Sequence, residues 1–569
     1  MTSTTDAENA PLLRPERERE RDGAGSPSSW SSTGPEDDNL DTANQTVTRK
    51  RGVAIMLSVY VLIFLLAMNM SGFTMAQSTI AADLDAYEDA MWFTTAFLVA
   101  MSSTSPLAGK LASIFSPRAV MLASSVLFAL GSLLTALARS FAAFILARVV
   151  TGLGGGGTLS LAFILVLELT TKRNRGLFIG LTNAGFTTGI SLGAVVFGAL
   201  IGTIGWRPLF WTQAPVSLLA GCAIFFSIPS TLRSPDASND DVPLGVKLKK
   251  LDYLGAIFLS ATVVLCLFGL ANKIQPIPLG FSLVALVIFV SIEKYIAADP
   301  IIPLTVLQNR GALLSCLSQL GFMASRWTVL FYTPMTALAV FGFNPAVSGS
   351  ILIPTNFGFG LGGLLVGAFH IRRAGSFWGP SILCFGLFGI TLLALSMSST
   401  RDTPFGLYIV IVFLNGLFTG GALTYTLTHL LHLTLPETHY VATSLLGTFR
   451  GFAGSFGSAI GGGIFARTLR DYLERGLKGL DGSDHLSKDR EELIRKLIGS
   501  PLLVYHGGLT DAERTIAVQG YSSALRVLFQ AAAVLTIIML LLQAATGWRA
   551  PGENALDQEE EAVPDGRRE

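Results

Sequence analysis

Among the arginines inside apolar stretches long enough to cross a membrane are Arg148, Arg326 and Arg450. An ionised side chain in hydrocarbon costs at least ~2.5–3.5 kcal/mol, so a charge that persists there faces a partner or a water-filled path. A guanidinium can do two kinds of work in such a place. It can hold carbonyls and amides together as a structural hub, or it can bind a carboxylate or phenolate in bidentate fashion. For Arg148 the hub partners would be carbonyls or Asn69. Arg326, in Met-Ala-Ser-Arg-Trp-Thr, either lines a central cavity or snorkels to a helix end. Arg450 lies in a glycine stripe and reads as packing. Glu168 ends an apolar run beside Lys172, Arg173 and Arg175, which can pair with it.

No carboxylate falls at the centre of a span in either half of the chain, as a site for cationic amino acids would want. The polar side chains available to a cavity are Asn69, Thr74, Gln77, Asn183, Asn356, Asn415 and Tyr425. The aromatic ones are Phe73, Phe186, Trp327, Phe331, Phe357, Phe359 and Phe418. This mixture suits a neutral or anionic, largely apolar organic molecule. His370, His429 and His432 fall at helix ends; solvation is the plain reading and a proton relay the alternative.

Composition says what must position these residues. Of 569 residues, 14% are charged, against about 25% in a typical soluble domain, and half are hydrophobic. Forty-five of the 79 charges lie in 1–51, 467–515 and 549–569. The other 448 residues hold only 34, too few to cover a soluble protein, so a soluble enzyme is excluded. A net charge of +1 leaves no basic surplus for nucleic acid. Cys222, Cys266, Cys316 and Cys384 all sit in apolar runs and read as core residues, with neither disulfides nor metal ligation expected. No apolar signal region opens the chain, and no cofactor is expected.

The pattern predicts an all-α polytopic membrane protein. Fourteen apolar runs read as spans at about 53–75, 92–113, 119–138, 141–168, 176–202, 208–229, 252–271, 278–298, 311–334, 345–369, 377–397, 405–429, 441–466 and 521–546. Short loops on one side carry 13 basic residues and those on the other carry 4, which puts both termini in the cytoplasm. Glycines at 176, 180, 185, 189, 193 and 198 in the fifth span answer those at 447, 451, 454, 457, 461, 462 and 463 in the thirteenth. Such stripes let helix backbones touch. The expected organisation is therefore a disordered tail (1–51), a six-helix bundle (52–230), two inserted helices (231–300), a second six-helix bundle with a long non-cytoplasmic loop at 467–520 (301–548), and an acidic tail (549–569).

Local motifs sharpen this. The turn after the second span reads Gly109-Lys-Leu-Ala-Ser113-Ile-Phe-Ser116-Pro-Arg118. The fourth span contains Arg148-Val-Val-Thr-Gly152-Leu-Gly154 and leads through Glu168 to Arg175-Gly176. Gly185, Gly189 and Gly193 mark the fifth, and Trp206-Arg207-Pro-Leu-Phe210 opens the sixth. Phe331-Tyr332-Thr-Pro334, Pro354 and Arg450 follow in the second half. Together these resemble the signatures of the major facilitator superfamily, in the fourteen-helix drug:proton antiporter branch found in fungi, over roughly residues 52–548. Two departures stand out. Asn69 occupies the place of a usual aspartate in the first span, and Ser113 replaces the aspartate of the first signature.

The resemblance implies a secondary active transporter exporting drugs or secondary metabolites by proton antiport, with Arg148 and Glu168 as coupling candidates. It also implies that the glycines and arginines just named serve conformational change. The partners implied are a small-molecule substrate, protons and the bilayer, with a monomeric chain and no nucleic acid. A vacuolar basic amino-acid transporter and a transporter-like sensor are the rivals. Glu8-Asn-Ala-Pro-Leu12-Leu13 resembles an acidic dileucine sorting signal, so the vacuolar membrane stands beside the cell membrane as a location.

Overall fold

The structure is a computed structural model, and it describes residues 49–169, 175–228, 252–270, 274–297, 308–370, 376–434, 439–482 and 485–548. Among these residues every regular element is a helix. The first group is α1 (Arg49–Asp83), α2 (Ala90–Ile114), α3 (Pro117–Leu137), α4 (Phe141–Leu169), α5 (Arg175–Ile204), α6 (Arg207–Trp211) and α7 (Gln213–Ser227). Two helices follow, α8 (Tyr253–Leu270) and α9 (Pro276–Tyr295). The second group is α10 (Arg310–Ala339), α11 (Pro345–Ser350), α12 (Leu352–Leu365), α13 (Trp378–Ser398), α14 (Phe405–Leu433), α15 (His439–Asp481), α16 (Lys488–Gly499), α17 (Leu503–His506) and α18 (Asp511–Ala544). A π-helical turn, Val366–His370, extends α12.

Helices follow from the solvent. Hydrocarbon offers a backbone no hydrogen-bonding partner, so each apolar run satisfies its own amides. Ends are set by local chemistry: Asn309 caps α10 by accepting from the Gly311 and Ala312 amides, and Pro117 opens α3.

Eleven of the described helical stretches are long and apolar enough to cross a membrane, counting α6 with α7 and α11 with α12 as single stretches. The other three expected spans, α2, α10 and α15, are helical at the expected places but more polar. Their polar residues face protein. Thr95 and Ser102 on α2, Ser318, Ser325 and Arg326 on α10, and Ser455 and Ser458 on α15 are all buried.

The packing repeats itself. In the first group α1 packs on α5 and α7, α2 on α4, and α3 on α4 and α7. In the second, α10 packs on α15 and α18, α12 on α14, and α13 on α14 and α18. Counted as spans, each second-group pair is the first-group pair moved eight places along. Glycines make the closest of these approaches. A Cβ at Gly152 would lie 2.5 Å from the Phe97 carbonyl oxygen on α2, and one at Gly189 2.5 Å from that of Phe64 on α1. Gly358 stands likewise against Phe413 on α14, and Gly457 against Ala324 on α10.

The stretch 467–520, expected as a loop, is largely helical. α15 continues to Asp481 and α18 begins at Asp511, so both overshoot their expected spans, and α16 and α17 lie between them. Together they form a cap whose apolar residues Leu473, Leu477, Ile494, Leu497, Val504 and Ala517 are buried and continuous with the main core. The tails, 1–48 and 549–569, and the residues joining α7 to α8 lie outside the described residues.

Gly152→Val and Gly189→Val should each lower stability by about 1–3 kcal/mol, because backbone cannot retreat from the added carbons. Gly447→Ala, with nothing within 4 Å of the added carbon, should leave it nearly unchanged. Melting of the purified protein in detergent measures all three.

Candidate functional site

Arg148 lies wholly buried, seven residues into α4. Its Nη1 donates to Asn69 Oδ1 on α1 at 2.6 Å, and its Nε donates to the Phe93 carbonyl on α2 at 3.0 Å. Asn69 Nδ2 donates in turn to Gln213 Oε1 on α7 at 2.9 Å, and Gln213 Nε2 to the Leu209 carbonyl at 2.9 Å. The bonds therefore point one way, each acceptor's partner group donating onward, which spreads the positive charge over three neutral groups. The rings of Phe97, Phe73 and Phe210 stand 4.5, 5.0 and 6.0 Å from the guanidinium carbon and supply cation–π attraction. These are the contacts that a hub would make.

Arg326 on α10 is 2% exposed and builds a similar knot. Its Nη1 donates to Thr355 Oγ1 on α12 and to Asn415 Oδ1 on α14, the latter at 3.0 Å. Its Nη2 reaches the Thr355 carbonyl at 3.4 Å, and Asn415 Nδ2 donates to Thr391 Oγ1 on α13 at 2.9 Å. Under the helix repeat, α1 answers α10 and α4 answers α14. The two halves thus carry the same guanidinium–amide pair with its ends exchanged: Asn69 with Arg148, and Arg326 with Asn415. In each half the guanidinium also bonds a main-chain carbonyl on the second span of its group, Phe93 on α2 and Thr355 on α12.

Between the knots the two groups of helices meet. Asn356 Nδ2 donates to Ser191 Oγ across α12 and α5 at 3.1 Å. Thr95 and Ser458 hydroxyls share a bond of 3.1 Å, and Ser102 donates to the Gly451 carbonyl at 2.8 Å, both across α2 and α15. Trp327, beside Arg326, stacks on Phe331 with centroids 5.5 Å apart and packs beside Gly454 of α15.

The family model described as Major Facilitator Superfamily matches residues 59–458. The chain belongs to the major facilitator superfamily. Among the curated relatives that it resembles is the multidrug resistance protein fnx1 of Schizosaccharomyces pombe, 26% identical over 485 residues, which are 83% of this chain and 88% of that protein. Another is the vacuolar membrane amino acid uptake transporter fnx2 of the same organism, 28% identical over 447 residues, 74% of this chain and 75% of that protein. The crystal structure of a bacterial homolog of the human lysosomal transporter Spinster, inward-facing and unoccupied, shares the fold. Its TM-score is 0.60 at 13% identity, over 88% of this chain and 99% of that one. This major facilitator protein is accordingly a polytopic membrane transporter of small molecules and not an enzyme.

The superfamily chain distributes the remaining candidates unevenly. Thr74 and Gln77 are partly buried on α1, beyond Asn69, and Asn183 is exposed on α5. Tyr425 shares a 2.6 Å bond with His370 Nδ1, about 15 Å along α14 from Asn415, so it belongs to a different cluster. His429, expected to be solvated, is buried, with Nε2 3.0 Å from Thr546 Oγ1, just past the end of α18. Phe73, named as a possible cavity face, is buried under Arg148 instead.

Gly109 has room around it, and Arg118 lies 5.2 Å from the Phe225 ring centre. Gly154 abuts Phe128 on α3, and Gly185 and Gly193 abut Tyr60 and Met68 on α1. Arg450 is partly buried on α15. The Glu168 and Arg175 side chains, and Glu8, Leu12 and Leu13, lie outside the described residues. Gln213, Thr355 and Thr391 were missed. An amide inside the apolar sixth run was the available signal for Gln213; two threonines in apolar helices gave none.

Asn69→Leu should destabilise the protein by about 3–5 kcal/mol, since it strands a buried charge. Adding Arg148→Met should recover part of that loss. Melting temperatures of the two single variants and the double variant give the coupling, and additive losses would contradict a shared hub.

Proposed function

We propose that this transporter exports small, largely apolar organic molecules, neutral or anionic, as drugs or secondary metabolites are, by alternating access between its two halves. The observation that carries the reading is the sign of the buried charge. Among the described residues, Arg148 and Arg326 are buried at the centres of their halves with neutral hydrogen-bonding partners only. Two guanidiniums compensated by amides and hydroxyls leave a positive potential that disfavours cations. The stacked aromatic pair Trp327 and Phe331, next to Arg326 on α10, supports an apolar ligand.

Proton antiport is the coupling that we assign, on family resemblance. Arg148 serves it as a positioning residue, because its partner is an amide that carries no proton to exchange. Glu168, the other candidate, lies about 30 Å farther along the same helix, so the two act separately. The basic bias of the loops supports cytoplasmic termini, and the chain acts as a monomer in the cell membrane. A second reading, vacuolar amino-acid uptake, is favoured by the name of the relative fnx2. It fits best an amino acid held through its carboxylate.

Everted vesicles carrying the protein should accumulate a fluorescent amphiphilic carboxylate when a proton gradient is imposed. An uncoupler should abolish this, and Arg148→Ala should lose it at equal protein level. Transport that ignores the uncoupler would remove the antiport assignment.

A further inference from the structure

The cap is tied to the two halves of the transporter by contacts of different kinds. Toward its own half it is fused. α15 and α18 enter it as continuous helices, and Tyr521 donates to the Leu497 carbonyl from the buried core. Arg490 pairs with Asp481 at 2.9 Å and with Glu513, clasping α15, α16 and the start of α18. Tyr505 donates to the Val340 carbonyl at 3.1 Å, and its ring covers Gly342, whose φ of +74 turns the α10–α11 connection.

Toward the first half the cap only leans. Arg470 meets Glu88 at 2.8 Å and Arg495 meets Asp85 at 2.8 Å. Side chains in both pairs are well exposed, Asp85 at 73%, and such pairs are worth about 0–1 kcal/mol each, cheap to break and remake. Asp85 itself holds a left-handed backbone at φ +48, a conformation that costs a residue with a side chain. Gly499, at the end of α16, rests on the Tyr87 backbone, where a Cβ would lie 2.6 Å from Tyr87 Cα. At the same end of the bundle α5 touches α11: Gly198 abuts Pro345, and Gly349 abuts Ala194. That end is closed.

We propose that the cap is a latch carried by the second half, which grips the turn 84–89 of the first half and must release it in each transport cycle. The proposal rests on the alternating-access reading. If the halves rock, the boundary that parts is the one made by two exposed ion pairs, the Gly499 seat and a small buried contact at Ala86 and Tyr87, whose ring lies 5.7 Å from the Arg495 guanidinium carbon, and the fused boundary moves as one body.

Paired cysteines test this in a background whose four native cysteines are replaced by alanine. Tyr87→Cys with Gly499→Cys bridges the cap to the first half, since a Cβ at 499 would stand 2.7 Å from Tyr87 Cβ and a small shift gives disulfide spacing. Gly476→Cys with Ile516→Cys bridges α15 to α18 inside the cap, where the corresponding separation is 3.6 Å. Oxidation should cut flux at least tenfold in the first pair and leave the second near its reduced rate. Reductant should restore flux in the first pair, which also shows that the variant is folded. Undiminished flux across the oxidised 87–499 bridge would overturn the latch while leaving the transport reading standing. Absence of flux in the unmodified chain under any gradient would overturn the transport reading, and the latch with it.

Discussion

A guanidinium buried among membrane-spanning helices must draw its partners from protein, and two of them organise this one, although Arg148 Nη2 has aromatic rings around it and no hydrogen-bond partner among the described residues. Arg148 draws α1, α2 and α7 to α4; Arg326 draws α12 and α14 to α10, with α13 joined through Asn415. Hydrogen bonds to a charged group are worth about 1.5–3 kcal/mol, and leaving such a group unmatched costs more. Each knot therefore ties helices that glycine contacts alone would let slide. The glycines permit close approach; the arginines select one register within it.

The exchange of ends between the two knots has a physical consequence. Under the helix repeat, α1 and α14 supply amides and α4 and α10 supply charge, so each half keeps one cation and no compensating carboxylate in its knot. The charge lies deep, under aromatic rings in the first half and under hydroxyls and an amide in the second. It acts on a ligand through its field. That separates positioning from binding: the arginines hold each half rigid, and Asn356 and Ser191 bond where the halves face each other.

Much of this was legible in the residue order. Long apolar runs and basic loops marked the helices, and the glycine stripe of α5 marked backbone contact at Gly189, Gly193 and Gly198; in α15 Gly457 meets backbone, while Gly447 and Gly451 face open space. Asn69 was named as a hub partner of Arg148 because both are polar in apolar helices. What stayed hidden was tertiary. Nothing in the sequence says that Gln213 orients Asn69, or that Thr355 reaches Arg326, because hydroxyls and amides in such helices are common. The stretch 467–520 read as a loop because its charge broke the hydropathy signal. Yet its leucines recur at helical spacing, Leu469, Leu473 and Leu477, a period that marks the helical extension of α15.

The central claim is that the buried charge at the heart of each half is positive and matched only by neutral groups, so that the sign of a ligand decides its binding. Equilibrium binding of one aromatic scaffold carrying a carboxylate, an amide or an amine, followed by tryptophan fluorescence of the purified protein, tests it most directly. The account predicts the carboxylate tightest and the amine weakest, with the spread shrinking in Arg326→Gln. An amine that binds tightest to the unmodified protein would contradict it.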